Sequence, residues 1–316
     1  MTNQPEISVA VCTYNRADVL PKCLESLANQ TVDKELFEVL IIDNNSTDGT
    51  KEIATDFCKE NLNFRYIFEE KQGLSQARNR AIDEAKGKYI AYIDDDAIAD
   101  KEWIEKIISV IQNNKDIAAF GGKILPWYNI EKPKWFKDEF GTHSWGDKHL
   151  QLNLQNYPFG LSGSNMIFNK DVLIKYGGFS AEYGMVGNKI AFGEESLLFN
   201  KMLKNNENVQ YSPDLFVYHL VSEKSYSPKN VFKRSVQSGK TIAQIRKAEL
   251  LSIDFIKKFC MLGVSFFELA IFIVPGFFSR AFIYKKLKKF GYFAGYIAAI
   301  LSKEPLNDRP CADKNI

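Results

Sequence analysis

Three consecutive acids, Asp94, Asp95 and Asp96, close the apolar run KYIAYI. Two carboxylates about 4 Å apart repel by roughly 4 kcal/mol at an effective dielectric of 20, so ionised neighbours at a strand end want a cation between them. Side chains alternate along a strand, which lets Asp94 and Asp96 share one side while Asp95 takes the other. The same triplet also suits a solvated turn, with Asp100 capping the helix KEWIEKIISVIQ.

Other groups with chemistry end or begin neighbouring elements. Asp43 closes VLIID ahead of NNSTDG, where it can accept from a ligand or hold the loop by an Asx turn; Thr50 then starts a helix. Arg78 and Asn79 lie on a helix opening just past Gly73. There Arg can offer a bidentate fork to phosphate and Asn an amide to a base or ribose, or Arg78 and Arg80 can simply face solvent. GEES at 193–196 sets Glu194 and Glu195 in the first turn of another helix, where acids commonly answer the helix dipole and act on a substrate only if the turn faces a cleft. His219 ends the strand-like VQYSPDLFVYH; a neutral imidazole there is a metal ligand or a structural group.

The elements that must position these groups alternate. Strands are expected at 7–13, 39–43, 64–68, 89–93 and 117–124 with helical patterns between them, which argues for a parallel sheet covered on both faces. In such sheets ligands bind beyond the carboxyl ends of the strands. Helical spacing returns at 194–204, a strand follows at 209–219, and a long helix starts at Pro228 and runs to about Leu250. The stretch 126–191 is loop-rich and carries Trp127, Trp135, His143, Trp145 and His149, aromatics that either stack on sugars or fill a core.

Composition narrows the class. Forty-one Lys and Arg against 39 Asp and Glu leave +2 over 316 residues, too balanced for a dedicated nucleic-acid binder. Cys12, Cys23, Cys58, Cys260 and Cys311 form no CxxC pair and read as reduced thiols. No basic stretch followed by an apolar one opens the chain, so a cytoplasmic protein is expected. Ser238-Gly239-Lys240-Thr241 is a false P-loop, because Arg234 stands where that loop needs glycine, and no GxGxxG follows the first strand. Residues 259–278 are long enough to span a bilayer, yet they contain Glu268 and Pro275 and are flanked by Lys257, Lys258, Lys285, Lys286, Lys288 and Lys289. Such a segment fits a helix lying on the anionic cytoplasmic leaflet, or a re-entrant hairpin; a buried helix pair is the other reading.

Taken in order, VAVCTYNR (9–16), VLIIDNNSTDGT (39–50), GLSQARNRAI (73–82), YIAYIDDD (89–96), GLSGSNMIF (160–168), GGF (177–179), GEES (193–196) and VYH (217–219) resemble family 2 glycosyltransferases over about residues 7–222. The resemblance implies an α/β GT-A fold: a mostly parallel nucleotide-binding sheet flanked by helices, with a helical C-terminal extension. It implies a nucleotide-sugar-binding half at 1–125 and an acceptor-binding and catalytic half at 126–222; the extension at 223–316 is expected to associate with membrane from its own apolar run and flanking lysines.

By the same resemblance Thr13, Tyr14 and Arg16 line the nucleotide pocket and Asp43 binds the base. Arg78 approaches the diphosphate, Asp94 and Asp95 belong to the donor site, and Asp96 and His219 hold a divalent metal, Mn2+ or Mg2+. Glu195 is the general base, with Glu194 second; many members have Glu-Asp where this chain has Glu-Glu. The implied activity is inverting, metal-dependent transfer of a hexosyl group from a UDP-sugar to a hydroxyl of a glycan or lipid-linked acceptor in surface polysaccharide synthesis. The rival readings are a catalytically silent nucleotide-sugar-binding or scaffold protein at the membrane, and an NDP-sugar nucleotidyltransferase. The latter would want a glycine- and arginine-rich loop after the first strand, where TYNRADVL has no glycine.

Overall fold

The computed structural model describes residues 4–155, 160–181, 193–245, 252–272 and 279–302. Four strands, β1 (Ile7–Thr13), β2 (Phe37–Asp43), β3 (Phe64–Phe68) and β4 (Tyr89–Asp94), pair in parallel in the order β3-β2-β1-β4. Their crossovers contain α1 (Leu20–Ala28), α2 (Thr50–Glu60) and α3 (Leu74–Glu84). Every residue of β2 is buried, as expected for a strand covered on both faces. The period of two divides the core: Val9, Val39 and Ile41 pack with Leu20 and Trp103 on one face, while Ala10, Leu40 and Ile42 pack with Ala77 and Phe168 on the other.

Beyond β4 the sheet becomes mixed. β5 (Ala97–Ala99), β6 (Ala119–Trp127), β7 (Leu150–Gln151), β8 (Met166–Asn169) and β9 (Val209–Leu220) complete it, and the order runs on from β4 through β8, β6 and β9 to β5. β8 is antiparallel to both β4 and β6, β9 is parallel to β6, and β5 and β7 are antiparallel to β9. The parallel character expected from the sequence therefore holds for β1 to β4, whereas the strand expected at 117–124, β6, pairs antiparallel with β8 and parallel with β9. Helices α4 (Trp103–Asn113), α5 (Lys170–Lys175) and α6 (Glu194–Lys204) flank the sheet. Asp100 is not the N-cap of α4; Glu102 holds that position, and Asp100 Oδ1 accepts the Glu102 N–H at 3.2 Å in the preceding turn.

The extension comprises α7 (Pro228–Ile245), α8 (Ile253–Phe272) and α9 (Arg280–Ser302). α7 and α9 touch backbone to backbone. A Cβ on Gly239 would come within 2.0 Å of the Tyr292 carbonyl oxygen, and one on Gly295 within 1.9 Å of that of Val236. Gly239, once the middle of a P-loop look-alike, is thus a helix-packing glycine. The aromatic stretch supplies packing too: Phe136 is buried with Val221, Val231 and Tyr284, and Trp135, Tyr128 and Phe140 flank it. Lys285 of α9 pairs with Glu139 at 2.8 Å. Among the described residues no helix is long and apolar enough to cross a membrane. Residues 246–250 and 273–278, within the expected long helix and apolar run, and Cys311 lie outside the described residues; Cys12, Cys23, Cys58 and Cys260 are free thiols.

Candidate active site

The acidic triplet sits where β4 gives way to β5. Pairing of β5 with β9 sets Ala97 opposite His219, and the Leu220 N–H donates to the Asp96 carbonyl at 3.0 Å. That register carries the imidazole to the acids: His219 Nε2 lies 3.4 Å from Asp94 Oδ2 and 3.1 Å from Asp96 Oδ1, with Nδ1 3.1 Å from the Leu220 carbonyl. Donor atoms of Asp94, Asp96 and His219 all lie within 4.8 Å of one another. Two carboxylates and an imidazole fit a divalent cation such as Mn2+ or Mg2+. The structure thus adds Asp94 to the expected pair of Asp96 and His219.

The electrostatics carry the same demand for positive charge. Burial and the charges of Asp96 and Asp94 push the Asp95 carboxyl up, and burial with Asp94 does the same to Asp96. Burial works against charge at Asp94 as well, but His219, Arg78 and the Ser164 hydroxyl hold that carboxyl well below the usual range. His219 is desolvated, yet Asp94 and Asp96 raise it to about 9. A cation and a proton on His219 answer the same need, so a cation bound there would displace the proton.

Arg78 links this cluster to the GEES turn. It is buried on α3, with Nη2 3.9 Å from Asp94 Oδ1, and Nη1 2.8 Å from Glu194 Oε1 and 3.7 Å from Glu195 Oε2. Burial opposes its charge, and the three acids more than restore it. Phe179 of GGF lies beneath the guanidinium at 5.4 Å. The two glutamates are not equivalent: the Glu194 side chain is 4% exposed and the Glu195 side chain 21%. Burial and the neighbouring Glu194 push the Glu195 carboxyl up, outrunning the pull of Arg78. A carboxylate that is partly accessible and holds protons more tightly than usual has the properties of a general base.

The ends of β1 and β2 form one interlaced rim. Thr13 is buried, Tyr14 half-buried, and Asn15 adopts a positive φ of 52° while its N–H donates to Ser46 Oγ at 2.9 Å. Arg16 reaches across this rim, with Nε 3.8 Å from Asp95 Oδ1 and Nη2 3.6 Å from Asp96 Oδ2. Asp43 is buried; it accepts the Ser46 N–H and the Tyr66 hydroxyl, each at 2.9 Å, so it does hold the loop.

Several supporting groups escaped sequence reasoning because their partners are distant in the chain. Asn44 accepts the Gly73 N–H at 2.7 Å and donates to the Lys71 carbonyl at 2.7 Å, fixing the start of α3. Ser164 Oγ donates to Asp94 Oδ2. A Cβ on Gly163 would stand 2.3 Å from Arg78 Nη2, so the guanidinium occupies space that only glycine leaves. Trp127 Nε1 donates to the Asp96 carbonyl at 3.1 Å, with the Lys22 ammonium 4.7 Å above its ring. Asn79 is a correction. Its amide is engaged on both sides by the Phe179 backbone, at 2.8 Å each, so it braces GGF rather than offering itself to a base or ribose. Arg80 pairs with Glu84 on a partly exposed face, but Arg78 does not face solvent.

Residues 8–177 match the family described as Glycosyl transferase family 2. The chain belongs to that family. A glucosyl-dolichyl phosphate glucuronosyltransferase of Haloferax volcanii is 29% identical over 226 residues, covering 69% of this chain and 70% of the relative. Glycosyltransferase AglE of the same organism is 37% identical over 121 residues, which spans 38% of this chain and 40% of AglE. Among solved structures, the mannosyltransferase PcManGT from Pyrobaculum calidifontis, in complex with GDP-Man and Mn2+, aligns with a TM-score of 0.63 at 16% identity over 95% of this chain and 88% of its own. S. aureus TarS 1–349 in complex with UDP-GlcNAc aligns with a TM-score of 0.55 at 18% identity, over 94% and 91%. The α/β fold of this family 2 member is thus of the GT-A kind, with the helical extension present.

Proposed function

We propose that the protein is an inverting, divalent-metal-dependent glycosyltransferase that moves a hexosyl group from a UDP-sugar to a hydroxyl of a glycan or lipid-linked acceptor in surface polysaccharide synthesis, at the inner face of the cell membrane. The observation that carries this reading is the bridge made by Arg78, which stands 3.9 Å from Asp94 at the cation cluster and 3.7 Å from Glu195. Cation site and base are then neighbours, joined through one guanidinium beyond the carboxyl end of β4.

In this reading residues 1–125 bind the nucleotide, with Thr13, Tyr14, Arg16 and Asp43 along the rim, and residues 126–222 hold the acceptor. Asp94, Asp96 and His219 would hold the Mn2+ or Mg2+. When bound, such an ion neutralises the charge that develops on a departing nucleoside diphosphate. Asp95 holds Arg16 beside that site. Arg78 adds fixed positive charge between Asp94 and Glu195, and fixed charge in a dry site needs no reorganisation during the reaction. Glu195 takes the proton of the attacking hydroxyl, a service worth about 10²–10⁴ in rate. With the base and the leaving diphosphate on opposite faces of the sugar, displacement is in line and the anomeric centre inverts.

A lipid-linked acceptor is supported by the dolichyl phosphate named for the Haloferax relative, and the metal by the Mn2+ in the PcManGT complex. Thermal shift with a panel of nucleotide-sugars, with and without manganese, tests the donor assignment, since a selective ligand stabilises the native state by mass action. A rise in Tm for UDP-sugars that requires manganese is expected. Equal shifts with GDP-sugars, or shifts indifferent to manganese, would contradict it.

A further inference from the structure

α8 has two faces of opposite character. Phe255 and Leu262 turn inward against Tyr296 and Ile297 of α9. On the other side Ile253, Ile256, Val264 and Phe267 are between 49 and 74% exposed, while Phe259, stacked on Phe255, and Phe266, against Phe290 of α9, stand at the margin. Positions 253, 256, 260, 264 and 267 follow helical spacing along one stripe, with Cys260 exposed in its middle. Of the described side chains on this face Lys257 is the one charge; Glu268 is set aside by its pair with Lys286 at 2.5 Å, and Asp254 accepts from the Tyr296 hydroxyl. An apolar stripe this continuous on a helix of about 30 Å is an interaction surface rather than scattered exposure.

The charge of the extension says what covers the stripe. Residues 223–316 contain 17 Lys and Arg against 7 Asp and Glu, a net +10 in a chain whose total is +2, so residues 1–222 carry −8. Two copies meeting through α8 would bring two such net-positive extensions together, whereas an anionic surface satisfies the apolar stripe, Lys257 beside it and the net charge of the extension at once. We infer that α8 lies in the plane of an anionic bilayer, its apolar stripe buried at the headgroup boundary, with Lys257 against the lipid phosphates and the net positive extension drawn to them. The helix rests on the membrane without crossing it, in keeping with its length and apolarity. Phe136, Val221, Val231 and Tyr284 join the extension to the catalytic half, so the docked helix fixes the site's height above the lipid. The inference gives physical form to the membrane-side location proposed above and rests on that reading for its purpose.

Flotation of the full chain with vesicles tests it without any sugar donor, so failure here leaves the transfer chemistry untouched. The protein is expected to float with vesicles of phosphatidylglycerol mixed with phosphatidylcholine and far less with phosphatidylcholine alone. Val264→Glu with Phe267→Glu should weaken vesicle binding at least about tenfold, because two large apolar side chains leave the interface, while Tm stays near that of the parent because both are exposed. Lys257→Glu should weaken it several-fold in low salt and less at high salt. Failure of the parent to float with anionic vesicles, or equal flotation of the Val264→Glu/Phe267→Glu variant, would overturn the inference. So would a dimer in solution that the same two substitutions dissociate, since a second copy would then own the face.

Discussion

The guanidinium of Arg78 and the carboxylate of Glu194 form a buried ion pair at 2.8 Å, both side chains 4% exposed, joining α3 to the first turn of α6. Removing one partner leaves an uncompensated buried charge, which costs about 3–5 kcal/mol. Arg78→Met should therefore lower Tm sharply and abolish transfer. Adding Glu194→Leu to it should restore much of the stability, since an apolar pair of similar volume replaces a buried ion pair at little cost. Transfer should not return, because the positive charge beside Asp94 and Glu195 is still missing. Calorimetry paired with donor turnover checks both halves, and recovery of activity in the double variant would remove Arg78 from the chemistry.

Glu195→Gln keeps shape and hydrogen bonds but cannot take a proton. Turnover should fall by about 10²–10⁴ with donor affinity retained. Glu194→Gln should instead act mainly on stability. If Glu194→Gln costs the turnover and Glu195→Gln spares it, the base is Glu194.

The pH dependence has a definite sign. Glu195 must be unprotonated to act, and burial with the charge of Glu194 raises its proton affinity above the ordinary glutamate value of 4.5. As pH falls, the carboxylate is lost sooner than an unperturbed glutamate would be, so the acid limb of kcat should lie above the usual carboxylate range. Arg78→Lys, which weakens the attraction to Glu195, should move that limb further up. An acid limb near 4.5 would contradict the burial of the base.

Gly163→Ala tests positioning from a residue that carries no functional group. The added Cβ would stand 2.3 Å from Arg78 Nη2, and relieving such overpacking typically costs about 1–3 kcal/mol. The guanidinium should shift and kcat fall at least about tenfold, with a modest loss of Tm. Unchanged turnover would mean that Arg78 tolerates displacement.

Legibility in the sequence followed distance along the chain. β1, β3 and the start of α3 stand where the apolar runs and Gly73 put them, because strand period and helix start are local properties. β5 and β8 were not foreseen: three and four residues long, they owe their existence to pairing with β9 and with β4 and β6. The acids and His219 were legible as types at element ends. Their meeting depends on the opposition of Ala97 and His219, a register that no local pattern encodes. Asn79 and Gly163 show the same limit, since the amide and the missing side chain acquire meaning only when Phe179 and Arg78 arrive beside them.

Calorimetric titration of donor and manganese into the parent, Asp96→Ala and His219→Ala tests the central claim most directly. The account predicts donor binding that requires manganese in the parent and is lost or weakened by orders of magnitude in both variants, with their folds intact by circular dichroism. Manganese-dependent binding of unchanged affinity in either variant would show that Asp96 and His219, 3.1 Å apart, do not hold the ion.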